Sequence, residues 1–246
     1  MTQPDFDAEN LFDEDYLYFY AARDPGGTRS DAETNLIWRL LELEPGMEVL
    51  DLACGHGRIA NRLAARGCRV TGLDGSTVFL DRARADAAAA GLDVAYVRGD
   101  MRRPPPGPFD RVVNWFTAFG YFDDGGNREV LTALARVTRP GGLVALELNN
   151  YVAVMRTYQS AAVAERGGDL LVDRHRFDPL TGRNLVERTI VRGGTLRRIP
   201  YFTRMFTYPE LRDWLLAAGF ADVAGYGEDG EPLTAEHRRM IVVARR

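Results

Sequence analysis

The sequence predicts an α/β fold: a parallel sheet covered by helices on both faces, with an antiparallel insert late in the chain. Three observations carry this. From residue 47 onward, short apolar runs alternate with amphipathic or Ala-rich runs of 9–13 residues, as in βαβ units. Gly or Pro closes nearly every run. The rhythm then breaks at residues 151–206, where hairpin-type turns separate strand-like segments.

In chain order, residues 1–30 form an acidic cap segment carrying Phe12, Tyr16, Tyr18, Phe19 and Tyr20, closed by the turn Asp24-Pro25-Gly26-Gly27. Ser30-Asp31-Ala32-Glu33 reads as a capping box for a helix over 31–43, with Leu36, Ile37, Leu40 and Leu41 on one face. Strands are expected at 47–52, 69–73, 94–98, 111–115 and 143–148, and helices at 58–66, 78–90 and 128–138. The turn Arg139-Pro140-Gly141-Gly142 leads into the fifth strand. In the insert, a helix is expected over 151–164, then strands at 170–177, 184–192 and 196–206. Thr207-Tyr208-Pro209-Glu210 reads as a second capping box with proline early in its helix, and 223–226 and 240–244 supply two last strands. The expected organisation is a core of 31–150 plus 207–246, with 151–206 as a lid on the substrate side.

Composition removes several chemistries. The chain of 246 residues has no lysine, so Schiff-base and Walker-type phosphate chemistry are excluded. None of Ser30, Ser76 and Ser160 lies in a Gly-x-Ser-x-Gly elbow. Cys54, Cys68 and the isolated histidines lack metal-ligand spacing, so no metal is expected. The net charge of −4 argues against nucleic-acid binding. No apolar run is long enough for a membrane span, and Met1–Asp15 has no apolar signal core, so a cytoplasmic location is expected.

The strongest motif is Asp51-Leu52-Ala53-Cys54-Gly55-His56-Gly57, an apolar strand running into a glycine turn that opens a helix. Glycine lets a ligand lie against bare backbone, and the helix N-terminus offers unpaired N–H groups. Asp74 follows Gly55 by nineteen residues, where a ribose-binding acid belongs. Dinucleotide folds share both features, but Asp51 inside the strand end and Gly99-Asp100-Met101 after the third strand set this chain apart.

With these four segments in order, the chain resembles the class I S-adenosylmethionine (SAM) dependent methyltransferases. The resemblance covers 28–150 by motif and 207–246 by element order. It implies a Rossmann-like, mostly parallel sheet of seven strands in the order 3-2-1-4-5-7-6, the seventh antiparallel, with SAM as cofactor and S-adenosylhomocysteine as product. It implies that Ala53, Gly55 and Gly57 line the methionine portion, with Asp51 as a ligand or as a support for the loop. Asp74, followed by Gly75 and Ser76, would accept the ribose hydroxyls. Asp100 and Met101 would hold adenine, Asn114 or Trp115 would meet the amino group, and Arg29 would pair with the carboxylate.

The acceptor side is carried by aromatic residues. Phe116, Phe119 and Tyr121 follow the fourth strand, where α/β folds bind ligands, and suit an apolar or cationic acceptor, with core packing as the alternative. The resemblance places a cap tyrosine, Tyr16 or Tyr20, near the transferred methyl. Tyr151 is a further substrate candidate, and Tyr20 and His175 are the acid/base candidates. The nine arginines from Arg166 to Arg204 in the insert fit an anionic acceptor or a solvated sheet face, and arginine fills every cationic side-chain role in this chain. The expected activity is methylation of a small molecule at N, O or C in bacterial specialised metabolism, with a homodimer allowed. The rivals are an RNA-modifying methyltransferase, a nicotinamide-dependent oxidoreductase and a non-catalytic SAM-binding protein.

Overall fold

The computed structural model describes residues 6–20, 24 and 26–246; Pro25 of the expected turn and parts of the cap lie outside them. Two short helices open the described chain, α1 (Ala8–Leu11) and α2 (Glu14–Tyr20), followed by α3 (Thr28–Leu40). The core then alternates as expected: β1 (Glu48–Leu52), α4 (Ala60–Ala65), β2 (Arg69–Asp74), α5 (Thr77–Ala89), β3 (Val94–Arg98), β4 (Phe109–Asn114), α6 (Asp124–Val137) and β5 (Thr138–Asn149). After α7 (Tyr151–Arg156) come β6 (Ala161–Arg166), β7 (Asp169–Asp178), β8 (Arg183–Arg192) and β9 (Thr195–Arg204). The chain returns through α8 (Tyr208–Ala217), β10 (Asp222–Tyr226) and β11 (Arg239–Arg245).

Seven strands form one sheet in the order β10-β11-β5-β4-β1-β2-β3. With the inserted strands set aside, this is the expected 3-2-1-4-5-7-6, and β11 pairs antiparallel with both neighbours. Strands β1 and β4, and β5 from Gly142 on, are almost continuously buried because helices cover both faces. One core layer joins Leu50, Val112, Leu146 and Met240 to α6 and α8; the other joins Val49, Val113 and Ala145 to α3 and α4. The carboxyl ends of β1, β2 and β4 therefore meet at one edge, under α1 and α2.

The insert departs from the expected pattern. The helix ends at Arg156, and residues 161–166 form an edge strand, so the second sheet has four antiparallel strands, β6-β7-β8-β9. Nearly every residue of that strand is exposed, so it lacks the period-2 pattern that marks a half-buried strand. Neither capping box forms. Gly27, in the left-handed region, precedes α3, while the Asp24 carboxylate accepts from the Arg29 and Ser30 N–H groups and from the Ser30 hydroxyl. Thr207 makes no side-chain cap bond, and Glu210 is drawn to Arg204. Helix α6 starts at 124 on an Asp123 cap, and β5 begins at 138, taking in the proline-glycine segment. Among the described residues, no helix is long and apolar enough to cross a membrane.

Candidate functional site

A cavity of about 1250 Å³ opens at that carboxyl edge. Its floor is the β1–α4 loop. Ala53, Gly55 and Gly57 all have positive φ, and a Cβ on Gly57 would come within 2.9 Å of Ala83 and collide with the Tyr96 hydroxyl. Gly57 thus packs the helix onto the sheet, whereas Ala53 and Gly55 face the cavity. Asp74 is buried, with Oδ2 accepting from Gly55 N and Oδ1 from Ser76 N, both at 2.8 Å. Each oxygen keeps a further acceptor site. Burial raises the Asp74 carboxyl above its usual range, against those backbone bonds. Ser76 caps α5 and donates to the Phe12 carbonyl at 2.6 Å, tying the floor to the cap.

Asp51 lies at the bottom of the cavity, 2 % exposed, and its Oδ2 has no partner. Burial pushes its carboxyl up to about 7; Arg58 offsets part of this and Asp74 adds to it. Asn114 Oδ1 and Trp115 Nε1 are also buried without partners, although the Asn114 amide donates to the Leu52 carbonyl at 2.8 Å. Unpaired buried polar atoms are costly, and of these three residues Asp51 and Trp115 line the cavity while Asn114 does not. Asp100 lines the cavity with Met101; burial would raise its carboxyl, but the Arg102 bonds prevail and lower it.

Arg29, Arg58 and Phe116 form one wall. Both guanidiniums pair with Glu33 and lie over the Phe116 ring, at 4.9 and 5.2 Å from its centroid. The opposite wall is aromatic. Tyr16 and Tyr20 stack with centroids 4.2 Å apart, and Phe12 packs on Tyr16, Phe79 and Tyr121. His56 joins this wall as a neutral ring, its pKa lowered to about 4 by burial and nearby arginines. Behind it, Arg188 is buried in the second sheet, with Nε and Nη2 each 2.8 Å from Asp173. Its Nη2 also donates to the hydroxyls of Tyr201 at 3.1 Å and Tyr20 at 3.3 Å.

Six candidates do not line the cavity: Gly57, Ser76 and Asn114, described above, and Phe119, Tyr151 and His175. Phe119 is core, packed on Phe206. Tyr151 packs on Phe177 beside a smaller cleft. His175 sits in the second sheet beside Asn184, and burial lowers its pKa. The sequence reading missed Arg58, Phe79, and the Arg188–Asp173 pair. The insert arginines mostly meet acids of the chain: Arg192 on Asp15 at 2.8 Å, Arg197 on Asp13 and Asp15 at 2.7 and 2.5 Å, and Arg183 on Asp124 at 2.9 Å.

A doubly wound fold with a glycine turn, two strand-end acids and one deep cavity defines an enzyme class that binds a nucleoside cofactor at the sheet edge. The comparisons narrow the class. A methyltransferase domain model matches residues 49–142. The cypemycin N-terminal methyltransferase of a Streptomyces species is 30 % identical over 82 % of this chain and 84 % of its own. The demethylmenaquinone methyltransferase of Thermus thermophilus is 32 % identical over 76 % and 82 %. Among solved structures, the CcbJ methyltransferase from Streptomyces caelestis superposes with a TM-score of 0.79 at 21 % identity, covering 98 % of this chain and 99 % of that one. The chain belongs to the SAM-dependent methyltransferases.

Proposed function

We propose that the chain methylates a small-molecule acceptor bound beside SAM in this one cavity, in bacterial specialised metabolism. The observation that carries the reading is the continuity of the space. The same cavity touches both Asp74 and Asp100 and the aromatic residues Tyr16, Tyr20 and Tyr121. Its volume of about 1250 Å³ exceeds the 300–1,000 Å³ usual for one small ligand. The partnerless Asp51 oxygen and the glycine turn, both on the cavity, fit SAM. Asp74 and Asp100 would hold its ribose and adenine, and Asp51, Trp115 and Arg29 the amino-acid end. SAM supplies a methyl group on a sulfonium centre. The protein's part is to align the nucleophile with that methyl and to exclude water, which the aromatic wall does. Tyr16 and Tyr20 bring aromatic rings to the cavity, and amines are the first acceptors to test, since the cypemycin relative is named for an N-terminus.

The engaged insert arginines support a small acceptor over RNA, because their charge is spent on Asp13, Asp15, Asp124 and Asp173. A cytoplasmic homodimer is compatible with this reading. The test is incubation with SAM and a panel of small amines and hydroxy compounds, read by mass spectrometry. The expected result is one added methyl on a small compound with stoichiometric S-adenosylhomocysteine. Methyl transfer to RNA alone contradicts the reading.

A further inference from the structure

The turn after β4 holds Phe116 and Thr117 in the left-handed region, with φ of +66° and +55°. That conformation is uncommon for any side chain but glycine and an outlier for β-branched threonine, so it persists only where the surroundings over-determine it. Here one residue does most of the holding. Glu147, inside β5 and 3 % exposed, accepts from Phe116 N through Oε2 at 2.6 Å, while its backbone carbonyl accepts from Thr117 N at 3.0 Å. Its other carboxylate oxygen pairs with Arg239 of β11. Arg239 in turn donates to Asn149 Oδ1 and, at 2.7 Å, to Thr117 Oγ1. The Phe116 N–H and the Thr117 hydroxyl thus end on one largely buried ion pair, reached from two neighbouring strands, and the Thr117 N–H ends on the backbone of its acidic member.

We infer that Glu147 and Arg239 are positioning residues for methyl transfer, acting through this turn. The turn aims the Phe116 ring into the cavity, and the ring carries Arg29 and Arg58. Relaxation of the turn toward ordinary φ would move the ring and both cations together, displacing the wall where the amino-acid end of SAM meets the acceptor. The inference rests on the placement of SAM given above and adds to it the device that fixes the wall.

The test is calorimetric titration of S-adenosylhomocysteine, with wild type first, so that the site and the device are judged separately. Glu147→Gln presents an amide where two donors need acceptors, and weakens binding by about tenfold. Adding Thr117→Gly, which adopts φ of +55° without strain, returns affinity to within about threefold of wild type. If Glu147→Gln proves unfolded, single variants at Thr117 decide. Thr117→Val keeps the strain but loses the Arg239 bond and binds about threefold more weakly, whereas Thr117→Gly stays within about twofold of wild type. Unchanged binding in Glu147→Gln, or loss that glycine does not rescue, overturns the inference while wild-type binding stands. Equal affinities for the two Thr117 single variants overturn it as well. Absence of wild-type binding overturns the site reading itself, and the inference with it.

Discussion

The floor and the roof of the cavity are held by different forces. The floor is built from backbone hydrogen bonds to buried side chains: Asp74 on Gly55 and Ser76, Asn114 on Leu52. The roof is α1 and α2, held by ion pairs at or near the surface, Glu9 with Arg98 at 2.7 Å, Asp15 with Arg192 and Asp13 with Arg197, together with aromatic contacts and Phe19 packed on Leu171 and Ile190. Such pairs contribute about 0–1 kcal/mol each and are screened by salt. The expectation is that the floor is set before any ligand arrives and that the roof yields more readily to salt. Buried Ser76 crosses between them through the Phe12 carbonyl, and buried Arg188 ties the second sheet to Tyr20 of the roof.

Arg188→Met should give the largest effect on this contrast. It leaves Asp173 buried without its cation, at a cost of about 3–5 kcal/mol. Urea unfolding checks the loss, and the double variant Arg188→Met/Asp173→Leu should recover most of it. Next, Asp74→Ala should weaken SAM at least about tenfold by calorimetry, because both ribose acceptors go at once and Gly55 N–H loses its partner. Unchanged affinity would remove Asp74 from the site.

A smaller effect is expected from Asp51. Burial raises its folded pKa to about 7, well above the usual carboxylate range. The stability of its neutral form is fully present below the unfolded pKa and is lost as pH rises through about 7. Asp51→Asn should therefore stabilise the ligand-free protein at about pH 8, read by thermal melting. SAM affinity should behave oppositely. It should fall as pH drops through about 7, because the ionised carboxylate pairs with the ammonium, and Asp51→Asn should flatten that profile.

Much of the floor was legible in the sequence, because local signals specify it: the glycine turn, the acids at strand ends and the strand–helix alternation are all short-range. The roof was not. The partners of Arg192 and Arg197 lie about 180 residues away in the acidic cap, a pairing that no spacing reveals. The Ser30 box failed because Asp24, six residues earlier, serves the same N–H groups. The edge strand 161–166 was hidden because both its faces meet solvent. Glu147 did leave a signal, a carboxylate in the middle of the apolar run 143–148, but its purpose needs Arg239 from the far end of the chain.

Hydrogen exchange read by mass spectrometry, with and without S-adenosylhomocysteine, tests the single-chamber account most directly. The account predicts protection in two places at once: the floor segments 53–57, 74–76 and 99–101, and the cap helices 8–20. The cap protection should fade as salt rises while the floor holds. Protection confined to the floor, with 8–20 exchanging as in the free protein at every salt concentration, would contradict it.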